Sequence, residues 1–418
     1  MKHLTVAVQQ ADAFAAIKIL QYRRLLTGRF CFTMALRMLG TLVGWWLYEL
    51  TGDPLAMGLI GLAEVIPAIS LALYAGHVID TSEKKNLLLK GVCAYLLGAI
   101  ILCTLSYFFY YKNGSKNMVI WGIYIVIFCT GIIRAFVGPS FPAILGQIVP
   151  KNILQNAITW NQGTFLMASV SGHATGGFCI AAFGVPGTLA VIIILVILSL
   201  LNLNQLTKFP IKNTATNKRT LESVKEGLNF VFKTKEVLGA LSLDLFAVLF
   251  GGAVAMVPIY AKDILRVGAV GFGWLNAASD IGAIIIVVLL TIFPFKKHQG
   301  KRLLMAVAGF GIAIIIFGIS KLFWLSFSIL LISGILDGIS VVIRGTIVQL
   351  QTPDEMRGRV MSVNSMFINS SNELGQFESG VAARAMGVVP SVVFGGCITL
   401  LVVFITWFKA PSLRKMEY

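Results

Sequence analysis

Ser171–Gly177 reads SGHATGG, and about two hundred residues later Leu374–Gly380 reads LGQFESG. The register that lays one on the other matches Gly172 with Gly375 and Gly177 with Gly380. It also lays GIIR, Gly131–Arg134, on GILD, Gly334–Asp337, and it aligns Pro150 with Pro353 and Asn161 with Asn364. Each match is short, but one shared register is what an internal duplication leaves behind. The chain therefore reads as two related halves.

Composition says what the halves are made of. The chain has 418 residues, 57% hydrophobic and 12% charged, with a mean hydropathy of +0.85. A soluble chain of that length carries far more charge. A bilayer core takes ~20 helical residues to cross, and about twelve apolar runs are long enough. They lie near 30–50, 55–79, 87–111, 118–141, 157–183, 185–206, 237–261, 269–295, 303–320, 322–348, 360–383 and 386–408. A β-barrel would show alternating segments of about ten residues instead. The expected fold is an all-α integral membrane protein of twelve transmembrane helices in two six-helix bundles. The expected divisions are a cytoplasmic segment 1–29, a bundle 30–206, a cytoplasmic linker 207–236, a second bundle 237–409 and a cytoplasmic tail 410–418. Duplicated six-span halves enclose a binding site between them in transporters.

The formal charge of +16 does not point to nucleic acid, because the basic residues follow the loops. With the N-terminus inside, about 25 of the 34 Lys and Arg fall in inner segments. They include Lys18, Arg23, Arg24, Arg29, Lys84, Lys85, Lys296, Lys297, Lys301, Arg302, Arg357, Arg359, Arg414 and Lys415. Both termini are thus expected in the cytoplasm. The segment before residue 30 lacks the pattern of a removable signal peptide and reads as an interfacial helix. In the linker, Leu221, Val224, Leu228, Val231 and Phe232 recur at helical spacing, which predicts an amphipathic helix at the inner surface. The six cysteines form no CxxC pair and the four histidines are scattered, so neither a metal site nor a redox site is expected.

Charges inside apolar runs are costly and mark functional positions. They are Arg37, Glu64, Arg134, Asp244, Asp280, Asp337, Arg344, Glu373 and Glu378. Six are acids and three are bases, so some carboxyls must be protonated, solvated or hydrogen-bonded otherwise. On a helix, Asn369, Asn372, Glu373, Gln376 and Gly380 share one face, a polar stripe suited to lining a cavity, while Glu378 points to a neighbouring span. Glu373, Glu64, Asp280, Arg134 and Asp337 are the proton-coupling candidates. Asn369, Asn372, Gln376 and Arg37 are the cavity or substrate candidates, with a structural or gating role open for Arg37 and Asp244. Gly172, Gly176 and Gly177 predict close helix packing. His173, set among those glycines, reads as a hydrogen-bonded structural residue.

Three motifs carry a family resemblance. GHVIDTSEKK, Gly76–Lys85, resembles the loop motif after the second span of the major facilitator superfamily, keeping Gly76, Asp80, Lys84 and Lys85. Thr81 stands where that motif has Arg, and Glu83 where it has its second Gly. RAFVG, Arg134–Gly138, is similar to the fourth-span motif. ASVSGHATGG, Ala168–Gly177, is similar to the fifth-span antiporter motif, with His173 at the Pro position. LSLDLFAVLFGGAV, SVVIRGTIVQLQTPDEMRGRVMSVN and NELGQFESG resemble the siderophore-exporter and macrolide-efflux branch. The resemblance implies a monomeric plasma-membrane transporter, embedded in lipid, that exports a small molecule against protons. It also implies a cytoplasmic gate of Gly76, Asp80, Lys84 and Lys85, with Arg357 and Arg359 as the counterpart. No GxxxxGK[ST] stretch occurs, so no nucleotide cofactor is expected, and no loop is long enough for a catalytic domain. A membrane sensor and an importer of the same fold are the other readings.

Overall fold

The structure is a computed structural model. It describes residues 12–207, 220–293, 295, 297–353 and 356–417, with only the backbone for Gly76, Asp80, Asn369 and a few other helical residues. Lys296 lies outside the described residues. Within them the chain is helical and contains no strand.

The first group of helices is α1 (Leu20–Thr51), α2 (Pro54–Thr81), α3 (Lys84–Lys112), α4 (Lys116–Ile148) and α5 (Leu154–Asn204). α1 starts ahead of the apolar run that predicts it. Its first turns are charged at Arg23 and Arg24, yet Tyr22 and Leu25 are fully buried, and the Tyr22 hydroxyl donates to Ala157 O at 2.6 Å. Tertiary packing, not hydropathy, holds that end. α1 stops at Gly52, whose φ of 62° is a left-handed cap that glycine adopts without strain. Asp53 then accepts from Leu55 N at 3.0 Å and caps α2, with Pro54 at its first position.

α5 is one helical run of 51 residues broken at Gly184, where φ is 65° and ψ is −171°, with Pro186 two residues on. At 1.5 Å per residue it is about 77 Å long, enough for two passes of a ~30 Å core. Two of the expected spans are therefore the two arms of α5.

α6 (Thr220–Lys233) is the amphipathic linker helix. Its Val231 is buried with Val237, Leu241, Val348, Val360 and Val363. α7 (Lys235–Gly251) then ends early. Where one span over 237–261 is expected, the chain loosens into a 3-10 turn (Ala253–Met256), a short α8 (Val257–Ile259) and a π-turn (Tyr260–Ile264). The Gly251–Gly252 pair and the missing N–H of Pro258 weaken the helix there. Tyr260 anchors the irregular stretch, fully buried with its hydroxyl donating to Gly318 O at 2.6 Å. The remainder is α9 (Gly268–Ile292), α10 (Gln299–Ile319), α11 (Phe323–Gln351), α12 (Arg357–Met386), α13 (Val388–Lys409) and α14 (Pro411–Arg414).

Among the described residues nine helical segments are long and apolar enough to cross a membrane. α7, with 17 residues, and the polar α12 are not among them. Leucines, isoleucines and aromatics face outward in quantity, Trp121 and Trp324 with them, as a lipid-facing surface requires.

The helices before and after α6 meet along two seams, α2 against α12 and α5 against α9. Both seams use glycine to bring backbones together. A Cβ on Gly58 would stand 3.0 Å from Gly380 Cα, and one on Gly61 would overlap Glu373 O. A Cβ on Gly177 would stand 2.8 Å from Gly273 Cα. At the end of the bundle that holds the α1–α2 turn, the closure continues with further contacts. Trp45 stacks on Phe272 with ring centroids 5.8 Å apart, the Tyr48 hydroxyl donates to Asp263, and Arg384 lies 3.6 Å from Asp53.

Candidate functional site: two polar clusters between the helical groups

At mid-length on the α2–α12 seam, Arg134 of α4 reaches two acids at once. Its Nη1 donates to Glu64 Oε1 at 2.8 Å and to Glu373 Oε1 at 2.6 Å. Local backbone approach sets this up. A Cβ on Gly131 would overlap Glu64 O, so α4 rides directly on α2 one turn before Arg134. Gly61 does the same for α12 at Glu373. Glu373 is 6% exposed and its Oε2 accepts from Gln376 Nε2 at 3.1 Å. Arg134 nonetheless keeps 43% of its side chain exposed. A guanidinium at mid-helix with that exposure faces a cavity, since lipid would not solvate it. Two carboxylates share one cation, so the triad carries a surplus negative charge when both are ionised.

The second cluster lies on the α5–α9 seam. Asp280 Oδ2 of α9 accepts from Ser169 Oγ at 2.5 Å and faces His173 Nε2 at 3.7 Å. His173 Nδ1 is 2.8 Å from Thr41 Oγ1 of α1. Gly172 and Gly176 press α5 onto α1. A Cβ on Gly172 would meet Arg37 Cβ at 2.7 Å, and one on Gly176 would meet Met38 Cα at 3.3 Å. Arg37 stands between the clusters. Its charge acts on His173, Asp280 and Glu373, and its guanidinium lies 5.6 Å from the centre of the Phe165 ring. Beside it, Gly40 has open space where a side chain would go. Among the described residues no carboxylate comes within ion-pair distance of Arg37.

The other candidates lie apart. Asp337 of α11 lines a small pocket inside the later helices, beside Asp244, Phe310 and Ser340. Asp244 is ion-paired with Arg344, both nearly fully buried. Sequence equivalence of Arg134 and Asp337 thus does not bring them to one site. Glu378 is half-buried on α12. Asn372 is exposed and donates to Ile368 O at 2.9 Å. The side chains of Gly76, Asp80 and Asn369 lie outside the described ones. Lys84 opens α3. Lys85 is buried and donates to the carbonyls of Asn204 and Leu206 at 2.8 and 2.6 Å, which ties α3 to the end of α5. Arg357 opens α12, and Arg359 pairs with Glu226 of α6. The partnership of His173 with Asp280 is the feature sequence reasoning missed. Its one signal was a titratable residue at a motif position that otherwise holds proline.

Comparison with known proteins bears on the family and the fold. The profile of the transmembrane secretion effector family matches residues 12–418. The enterobactin exporter EntS of Escherichia coli O1:K1 is 26% identical over 403 residues, 95% of this chain and 93% of that protein. EntS of Shigella boydii serotype 4 is 26% identical over 405 residues, with the same coverage. Among solved structures, a point mutant of the nucleoside transporter NupG superposes with a TM-score of 0.73 at 13% identity, covering 93% of this chain and all of that one. The D-xylose-proton symporter superposes with a TM-score of 0.69 at 14% identity, covering 96% and 98%. The chain is a multi-pass membrane protein of the transmembrane secretion effector family, within the major facilitator superfamily of transporters, and not an enzyme.

Proposed function

We propose that this transporter exports an amphiphilic small molecule across the plasma membrane in exchange for protons, by alternating access between two six-span halves. Twelve crossings follow from the nine apolar segments when α5 counts as two and α7 with its continuation and α12 are added. With the N-terminus in the cytoplasm, the sealed end with Tyr48 and Asp263 faces outward. The observation that carries the reading is the Glu64–Arg134–Glu373 triad, a cation held between carboxylates of both halves and facing a cavity. Glu373 is the proton carrier. A proton on Glu373 removes the charge that holds Arg134 across the seam, leaving Arg134 to Glu64 alone. The proton state of one side chain then biases the contact between halves, which is what coupling requires. Arg37, with its aromatic neighbour Phe165 and the open space at Gly40, is the position for a polar or anionic group of the cargo, with Gln376 and Asn372 on the facing α12 stripe. The relatives named as enterobactin exporters suggest a siderophore-like cargo, and a macrolide is the second probe.

Purified protein in proteoliposomes with an imposed proton gradient tests this. Enterobactin and erythromycin, offered separately, should each be assayed for uphill movement and for substrate-dependent proton flux. Uphill movement of either, abolished by a protonophore, supports the reading. Saturable binding with no proton flux for either would move the chain to the sensor class.

A further inference from the structure

We infer that His173 and Asp280 form a second proton-binding site, across the α5–α9 seam, which holds the outer seal shut while it carries a proton and releases it when the proton leaves. The argument starts from Thr41. Its hydroxyl has one hydrogen, and that hydrogen goes to Arg37 O at 3.0 Å. The oxygen's lone pairs are left to face His173 Nδ1 at 2.8 Å. With the hydroxyl hydrogen on Arg37 O, Nδ1 is the donor, and we assign the neutral imidazole the Nδ1–H tautomer on that basis. Nε2 is then a bare acceptor, and it faces Asp280 Oδ2, another acceptor. At 3.7 Å the two are at ion-pair range, outside hydrogen-bond range. One proton between them converts mutual repulsion into attraction, either as imidazolium with carboxylate or as imidazole with carboxylic acid.

The location gives that proton its consequence. His173 belongs to α5 and Asp280 to α9, on opposite sides of the seam. A Cβ on Gly273 would stand 2.6 Å from His173 O, so the pair lies beside the glycine contact that closes the seam. The charged and titratable groups that face the pair are Arg37 from α1, Asp280 from α9 and His173 itself from α5; Ser169 and Thr41 complete the polar contacts. Beside the Arg37 cation, a second proton on the pair would add a further uncompensated positive charge, so the pair is assigned one proton. Balance is simple: a proton from water binds at Nε2 or Oδ2, no other bond changes, and the proton returns to water on release. The site is separate from the Glu373 triad, which lies on the α2–α12 seam. It deepens the transporter reading, yet its test needs no cargo.

Two measurements test it. The first uses ¹⁵N-histidine-labelled protein in nanodiscs, with the His173 signals assigned by their loss in His173→Gln. The neutral ring should show a protonated Nδ1 and a bare Nε2; a protonated Nε2 in the neutral ring overturns the proposal. The second places spin labels at Ala181 and Val270, exposed positions at the outer ends of α5 and α9. As the pH is raised across the range in which the protein stays folded, the separation should shift to longer values as the proton leaves. The shift should vanish in Asp280→Asn, which keeps the shape and the Ser169 acceptor. A pH response in Asp280→Asn equal to that of the parent overturns the proposal. Failure of both cargo probes in the transport assay would leave these outcomes readable, since neither depends on transport.

Discussion

Gly177 and Gly273 occupy each other's side-chain space: a Cβ on Gly177 would lie 2.8 Å from Gly273 Cα, and one on Gly273 would lie 2.9 Å from Gly177 Cα. The obstacle on each side is backbone, which cannot step aside as a side chain can. Gly177→Ala should destabilise the sealed state by roughly 1–3 kcal/mol, the usual cost of overpacking. Gly138→Ala, where nothing lies within 4 Å, is the control and should be near neutral. Modification of a cysteine introduced at Val270 should speed up in the first variant and stay unchanged in the second. Equal rates in both would show that the seam does not depend on the glycine contact.

Glu373→Gln keeps the side-chain shape and the contact with Gln376 but cannot release a proton. Uphill transport should fall at least tenfold, about 1.4 kcal/mol or more in the coupled step. Exchange of labelled for unlabelled cargo, which needs no net proton movement, should partly persist. Both assays run on the same proteoliposomes decide it, and full uphill transport by the variant would remove Glu373 from the coupling step.

Asp244 and Arg344 form a buried pair next to the Asp337 cavity. Removing one partner strands the other charge, at a cost of about 3–5 kcal/mol. Arg344→Met should therefore lower the melting temperature more than the double variant Asp244→Leu/Arg344→Met, in which no charge is stranded. Thermal unfolding of the three proteins in detergent gives the order, and a double variant less stable than the single would refute the pairing as a structural one.

Cysteines placed at Lys116, in the α3–α4 turn region, and at Lys233, at the end of α6, should label from opposite faces of the membrane. Both positions are exposed. Labelling of both by an impermeant reagent in intact cells would contradict the twelve-crossing arrangement.

Hydropathy and periodicity made the helices legible, because lipid forces each apolar pass to satisfy its own backbone. They misplaced the start of α1, where Tyr22 is held by Ala157 O on another helix, and they drew one span through the irregular stretch after Gly251. The helical wheel put Glu373 and Gln376 on one face, and the two are hydrogen-bonded. It could not name Arg134 as the partner of Glu373, since that contact depends on how close Gly61 and Gly131 let three helices come. The same limit hid His173 and Asp280, 107 residues apart in sequence and joined only by the packing of α5 on α9. The internal repeat aligned Arg134 with Asp337, but duplication preserves helix order and not neighbours, and Asp337 ended beside Asp244.

α6 is fastened to α7 and α12. Arg359 binds Glu226, a Cβ on Gly227 would meet Arg359 O at 3.1 Å, and Val231 shares a core with Val237 and Val360. The linker helix is thus part of the later half, joined to it by packing as well as by chain. If the gene were cut in two and the pieces expressed side by side, the place to cut is just before Thr220. A cut after Lys233 would leave α6 on the wrong fragment, separated from the apolar surface that Val231 now covers.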